Sequence, residues 1–186
     1  LTSTGAGSPP AFEALPGGGK VLQVVSNHVN TASSQSMSAD TPVSISNLNA
    51  SITCASTGSK VRIDIVWNGE VGNVATEDVM MGMHRGTTLI GQAPGASSRG
   101  VGMTSISAGY QTEQGSSADF ASYSYIDSPG STSELTYHAM IVSWVFASTI
   151  YNNRTVADGD NQAYERLTST IILTELSAAT TQVNGS

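Results

Sequence analysis

The chain has 186 residues, which is enough for one sizeable hydrophobic core. Only 11% of its residues are charged, against roughly 25% in ordinary globular chains, and serine and threonine supply about a quarter of the sequence. The formal net charge of −7 excludes the basic stripe of a phosphate-tracking nucleic-acid binder. No apolar run reaches the roughly 18 residues that a membrane span requires. We therefore expect neither a nucleic-acid partner nor membrane insertion.

The sequence divides into a low-complexity start, a long patterned region and a short tail. Residues 1–19 are rich in glycine, proline and serine, which predicts a linker or collar. Residues 20–177 form the predicted β-sandwich domain, and residues 178–186 form a predicted flexible tail. The start is not a leader sequence and lacks Met, so we expect a piece of a longer polypeptide or a processed product. The single cysteine, Cys54, excludes an internal disulfide framework and is predicted to be a buried strand residue.

The first half of the patterned region predicts three strands. Residues 20–30 are valine-rich and predict a strand, residues 31–41 predict a serine-rich loop, and a second strand starts at Pro42. From Ser59 to Trp67 apolar and polar residues alternate, which predicts a half-buried strand. The pair Asn68-Gly69 then predicts a tight hairpin turn.

The second half adds further strands separated by turn residues. Residues 84–88 predict a turn between two short strands, and residues 91–102 predict a loop. Strands are predicted within residues 103–112, 120–126, 135–152 and 168–176. No segment keeps a helical period, so the sequence predicts an all-β fold of about eight strands. We expect an antiparallel β-sandwich, jelly-roll-like in its long-range pairings.

The predicted strand from Leu135 to Phe146 is apolar on both faces. A strand that is wet on one side should alternate, whereas both faces here need cover. One face can pack on the second sheet, and a second copy of the chain is the simplest cover for the other. A heterologous contact that closes at three copies leaves no such face exposed. We therefore expect a homotrimer, and the candidate interface residues are Met140, Val142, Trp144 and Phe146.

Catalytic and metal sites are poorly supported by the spacing of the polar residues. His28, His84 and His138 are not at metal-ligand spacing from one another. The segment with Asp158 and Asp160 could offer oxygens to a cation, but it lacks the closing glutamate of a calcium loop. No Gly-x-Ser-x-Gly elbow occurs. We expect no catalytic residues, no metal and no cofactor, and we keep a cation at this aspartate pair open.

A polar segment with one aromatic residue follows the doubly apolar strand. Tyr151, Asn152, Asn153 and Arg154 combine a ring, two amides and a guanidinium, the mixture that stacks on saccharides and hydrogen-bonds them. The alternative is an ordinary polar turn. These four residues are the candidate receptor-binding site.

Three stretches of the chain, taken in order, carry a resemblance to a known family. They are Gly19-Lys-Val-Leu-Gln-Val-Val25, Met83-His-Arg-Gly-Thr-Thr-Leu-Ile-Gly91, and Tyr123-Ser-Tyr-Ile-Asp-Ser-Pro129 with Thr136-Tyr137 and Thr168-Ser-Thr-Ile-Ile-Leu-Thr-Glu175. The combination resembles the distal domains of tail-fibre and related appendage proteins of tailed bacteriophages, especially marine ones. The resemblance covers roughly residues 1–177.

The resemblance implies a homotrimeric, β-rich, extracellular virion protein. Its expected partners are a bacterial surface glycan or protein and, through its N-terminal side, other virion proteins. Two alternatives stay open: a structural capsid fibre or decoration protein, and an enzyme that trims surface polysaccharide. No catalytic or receptor-binding residue is transferred by the resemblance.

Overall fold

The computed structural model describes residues 20–72, 78–95, 97–108 and 115–178, with only the backbone of 107 and 108. Within these ranges the chain contains no α-helix, and all of its strand pairings within the two sheets are antiparallel. The predicted all-β fold with two antiparallel sheets is confirmed. The predicted linker, and all of the predicted tail except its first residue, lie outside the described residues.

Twelve strands are present in the described ranges, so the expectation of about eight was too low. They are β1 Val21–Val29, β2 Ser33–Met37, β3 Val43–Thr53, β4 Lys60–Val71, β5 Val79–Arg85, β6 Thr88–Ile90, β7 Thr104–Ser105, β8 Ser107–Ala108, β9 Asp119–Asp127, β10 Glu134–Ser143, β11 Ser148–Asn152 and β12 Ser169–Leu176.

The strands form a seven-stranded and a five-stranded sheet. In the larger sheet β4 is central: β12 and then β11 pair along one edge, and β9 pairs along the other. Strands β1 and β2 lie outside β12 and β11, and β8 lies outside β9. The smaller sheet has the order β3-β10-β5-β6, with β7 on the same edge of β5 as β6.

The hydrophobic core lies between the two sheets and follows the predicted alternation of β4. Ile63, Ile65 and Trp67 point into it and are at most 1% exposed. Side chains of the smaller sheet, including Met81 and Ile141, are fully buried against them. Burial of one such side chain contributes about 1.5–3 kcal/mol, so this interface between the sheets is the main source of stability.

Side-chain amides close one open edge of the sandwich. On β1, Gln23 donates to the Thr53 carbonyl at 2.7 Å and Asn27 donates to the Asn49 carbonyl at 2.9 Å. On β2, Gln35 donates to another carbonyl of β3 at 2.9 Å. Edge strands expose unpaired backbone groups, and these amides satisfy several carbonyl groups of β3.

Two local predictions for the larger sheet were wrong. Asn68-Gly69 does not form a hairpin turn, because β4 continues through both residues to Val71. A Cβ atom at Gly69 would lie 2.7 Å from Cζ2 of Trp67 and still closer to the Tyr151 carbonyl oxygen. The glycine is therefore needed for close strand packing. The serine-rich segment predicted as a loop contains strand β2.

Candidate functional site

An open, hydroxyl-lined depression of about 580 Å³ lies where β2 and β11 meet. The pairing of β11 with β2 places Thr149 opposite Ser36 and Tyr151 opposite Ser34. Alternation then directs Thr149 and Tyr151 outward, because Ile150 between them is fully buried in the core. Ser36, Thr149 and Tyr151 all line the depression.

Tyr151 and Arg154, the predicted site residues on either side of the two asparagines, are in contact with each other. The Arg154 guanidinium stacks on the Tyr151 ring, 4.5 Å from its centroid. Nη1 of Arg154 donates to the Val156 carbonyl at 3.0 Å and lies 3.4 Å from the Asp158 carboxylate. The Arg154 side chain is only 16% exposed. Tyr151 is therefore a positioned aromatic wall of the depression, and Arg154 supports it from one side.

The two predicted asparagines are structural. Asn152 is 4% exposed and Asn153 is 1% exposed. The Asn153 amide donates to the carbonyls of Val29 and Thr31 at 3.1 and 3.0 Å, and its oxygen accepts a hydrogen bond from Ser169 at 2.6 Å. Asn153 also has a positive φ of 59°, which asparagine tolerates better than most residues. These amides are not available to a saccharide.

The aspartate segment considered for a cation is already neutralised in part. Asp158 forms ion pairs with Arg154 and Arg166. Asp160 is exposed in the same loop. In the described part of the chain, no three histidine, cysteine or acidic side chains cluster as metal ligands do.

Two of the predicted interface residues are inaccessible in the single chain. Met140 and Val142 are 0% exposed. The outer face of β10 that carries them is covered by the chain's own segment 100–103, since a Cβ atom at Gly82 would touch both Met140 and Met103. The premise that a second copy must cover this face was therefore wrong for these two residues.

The other two predicted interface residues are half-buried. The indole of Trp144 donates to the Val101 carbonyl at 3.0 Å, so it binds the same covering segment. Phe146 packs against the hydrophobic core. Both contacts are made within one chain.

A pair of buried carboxylates in the larger sheet was missed by the sequence analysis. Glu70 is 4% exposed and accepts hydrogen bonds from the backbone of Gly115 at 2.9 Å and Val156 at 2.7 Å. Asp119 is 2% exposed and accepts one from the backbone of Val71 at 3.0 Å. Burial raises the pKa of Asp119 to about 6, and the nearby Glu70 acts in the same direction. Their partners are backbone amides, which assigns them to loop anchoring.

Of the acidic residues at positions 77, 78, 113, 134 and 165, which could in principle supply the paired acid and base of glycoside cleavage, the described ones are not brought together. Glu134 begins β10 and pairs with Thr53, at the end of the sandwich where β3 terminates. Glu165 lies in the loop between β11 and β12, near the opposite end, where its backbone carbonyl accepts a hydrogen bond from the Thr155 amide. Asp78 is exposed, and residues 77 and 113 lie outside the described residues.

A second depression, of about 400 Å³, lies on the outer side of the smaller sheet and is lined by Ser44, His84 and Thr87. His84 is hydrogen-bonded to Ser44 at 2.7 Å and lies directly opposite His138 of the neighbouring strand β10. Burial lowers the pKa of both imidazoles, and His138 lowers the pKa of His84 further. Among the described residues, the buried Nδ1 of His138 has no hydrogen-bond partner.

Comparison of the chain with protein-family models and with curated proteins found no match. In the described ranges, no helix has the length and apolar character needed to cross a membrane.

Proposed function

We propose that the chain is the host-binding head domain of a virion appendage, a tail fibre that binds a glycan on the bacterial surface. The observation that carries this proposal is the strand order. Four strands of the larger sheet follow the order β1-β12-β4-β9, and four of the smaller sheet follow β3-β10-β5-β6. This interleaving of early and late strands is that of a jelly roll, an architecture found in viral capsid and lectin domains.

Fold alone does not define a function, so the proposal also depends on the site. In the depression beside Tyr151, one aromatic ring adjoins the hydroxyls of Ser36 and Thr149. A pyranose offers a C–H face for the ring and hydroxyls for hydrogen bonds. Ligand sites combine an aromatic or apolar surface with polar groups that fix the ligand's orientation, and this depression offers both, with hydroxyl side chains as most of its lining.

The proposed assembly is a homotrimer in the extracellular virion, attached to other virion proteins through its N-terminal side. An open depression gives weak single-site binding, and three linked copies convert weak contacts into useful avidity. No catalytic step is part of the proposal. The expected ligand is a surface glycan, because hydroxyl side chains outnumber charged ones around the depression.

The test uses single variants that add a long charged side chain to one depression at a time. Ser36→Arg should weaken retention of bacterial surface polysaccharides on a glycan array by tenfold or more, about 1.4 kcal/mol. The control, Thr87→Arg, adds the same side chain beside His84 and should retain wild-type binding. Equal binding by wild type and Ser36→Arg, or no glycan bound by wild type, contradicts the proposal.

A structural capsid fibre or decoration protein is the second candidate function. It is favoured by exposed apolar side chains on the larger sheet, including Val24, Val66 and Phe120, because such patches serve assembly. A stable oligomer that retains no glycan would favour this role. Release of free sugar from the array would instead favour a polysaccharide-trimming enzyme.

A further inference from the structure

Four apolar side chains form a continuous diagonal across the outer face of the larger sheet. Strand register places Val24 of β1 beside Thr174, Ile172 of β12 beside Asp64, Val66 of β4 beside Ser122, and Phe120 of β9 beside Asn68. Each step therefore moves one strand across and two residues along. Diagonal neighbours of this kind lie about 7–8 Å apart, so the four side chains form one row across the sheet. We call Val24, Ile172, Val66 and Phe120 the apolar diagonal.

The apolar diagonal is open to solvent in the single chain. Val24 is 59% exposed, Val66 is 42% exposed and Phe120 is 49% exposed, and Ile172 is half-buried. Val21 and Leu22 extend the apolar surface at the start of β1, at 53% and 44% exposure. Among the described residues, one other large hydrophobic side chain is comparably exposed, Val145 in the turn after β10. Concentration on one face distinguishes this surface from scattered exposed residues, which need no explanation.

The charges near the apolar diagonal favour a second copy of the chain as its occupant. Copies of a chain with net charge −7 repel one another. This face carries two basic residues, Lys60 and Arg62, and one acidic residue, Asp64. Arg62 and Asp64 form an ion pair with each other at 2.9 Å. Without Lys60, Arg62 and Asp64, which sum to +1, the rest of the chain carries −8. A contact between this face and another surface of the next copy therefore brings a locally positive patch against a negative chain, which reduces the repulsion between the copies.

The size of the face also fits a specific contact. Four strands spaced by about 4.8 Å, over nine residues rising about 3.4 Å each, give a flat area of roughly 600 Å². The accessible surface of a corrugated face is larger than this projection. A standard interface buries about 800 Å² on each partner, so a neighbour centred on the diagonal reaches the required range.

We propose that the apolar diagonal is the surface through which one copy of this chain packs against another surface of the next copy. The contact is heterologous, which allows a ring to close. This inference deepens the homotrimer of the proposed function. It moves the expected interface from β10 to the outer face of the larger sheet.

The test compares the solution mass of three charge-adding variants at equal concentration. Wild type should be oligomeric by light scattering, Val66→Lys and Phe120→Lys should be monomeric, and Val145→Lys should remain oligomeric. Val145 is 66% exposed, so the control adds the same charge at an equally accessible valine. Far-ultraviolet circular dichroism checks that each variant keeps its strand content.

Milder variants keep the test decisive if a lysine variant fails to fold. Val66→Thr and Phe120→Thr retain strand-forming residues and should raise the dissociation constant of the oligomer at least tenfold. The inference is overturned if wild type is monomeric at a protein concentration about 100 times the nanomolar dissociation constants of typical specific complexes. It is also overturned if both threonine variants keep the wild-type dissociation constant. A third outcome also overturns it: the lysine variants keep the oligomeric mass of wild type but lose binding to some other protein through this face.

The outcome can be separated from that of the glycan proposal. Ser36→Arg should lose glycan and keep the oligomeric mass, whereas Phe120→Lys should lose the oligomer and keep single-site glycan binding. Loss of glycan by Ser36→Arg with a monomeric wild type supports the site and overturns the interface.

Discussion

The indole N–H of Trp67 donates a hydrogen bond of 2.7 Å to the side-chain oxygen of Asn152 inside the core. Trp67 is 0% exposed and Asn152 is 4% exposed. A buried tryptophan needs a partner for its one polar group, and β11 supplies it from a strand that pairs with the end of β4. Asn152 therefore stabilises the fold, and the surface function of this segment belongs to Tyr151.

The first prediction concerns this pair. Asn152→Leu should lower the free energy of unfolding by about 2–3 kcal/mol, because it leaves a buried donor unpaired. Trp67→Phe removes that donor, so the double variant should lose less than the sum of the two single losses. Urea unfolding of the four proteins measures the coupling. Strict additivity would show that the hydrogen bond contributes little.

The second prediction concerns the close contact at Gly69. Gly69→Ala should destabilise the chain by about 3 kcal/mol, since overpacking a rigid site costs up to that amount. The new methyl group would meet the Trp67 ring and the Tyr151 carbonyl. Gly95→Ala is the matched control, because a Cβ atom there has no neighbour within 4 Å in the described part of the chain. Equal melting temperatures for the two variants would contradict the packing explanation.

Sequence alternation predicted most strand positions because it is a local signal. The Asn-Gly turn signal, which is also local, fails at Gly69. There it is overridden by the approach of β11, a strand about 80 residues further along the chain. The doubly apolar strand correctly indicated two covered faces. The identity of the cover depends on the path of residues 100–103, a long-range property that no local pattern contains.

The candidate site shows the same division. Tyr151 and Arg154 were recognised from their chemistry, and their ring contact brings them together. Asn153 has the same polar character in the sequence, but contacts with Val29 and Thr31, more than 120 residues away, bury it. The apolar diagonal could not be predicted, because it depends on the register of four strands.

The third prediction concerns acid stability and the histidine pair. Burial lowers the pKa of His84 and of His138, so the folded chain binds fewer protons there than the unfolded chain. This contribution to stability is fully present above the unfolded pKa of about 6.5 and is lost as the pH falls below that value and through the lower folded pKa. His138→Gln should reduce the loss of unfolding free energy between about pH 7 and pH 5.

An exposed histidine provides the control for that experiment. His28 lies on the outer face of β1, and His28→Gln should leave the pH dependence of wild type intact. An unchanged acid loss in His138→Gln, measured by urea unfolding at each pH, would assign the acid sensitivity to other groups.

The fourth prediction concerns Asp119, whose effect has the opposite sign. Its pKa is raised to about 6 by burial and by Glu70, so the folded chain binds more protons at this carboxyl than the unfolded chain, whose value is about 3.9. The stabilisation is complete below about pH 4 and is lost as the pH rises through 6.

Asp119→Asn keeps an oxygen that accepts from the Val71 backbone and removes the titration. The variant should therefore be more stable than wild type near pH 8, by about 3 kcal/mol, with little difference near pH 4. The two variants should act in opposite directions: between about pH 7 and pH 5, Asp119→Asn should enlarge the acid loss of stability that His138→Gln reduces. If Asp119→Asn is instead less stable than wild type near pH 8, the ionised carboxylate stabilises the fold, and the hydrogen bond from Val71 outweighs the cost of burial.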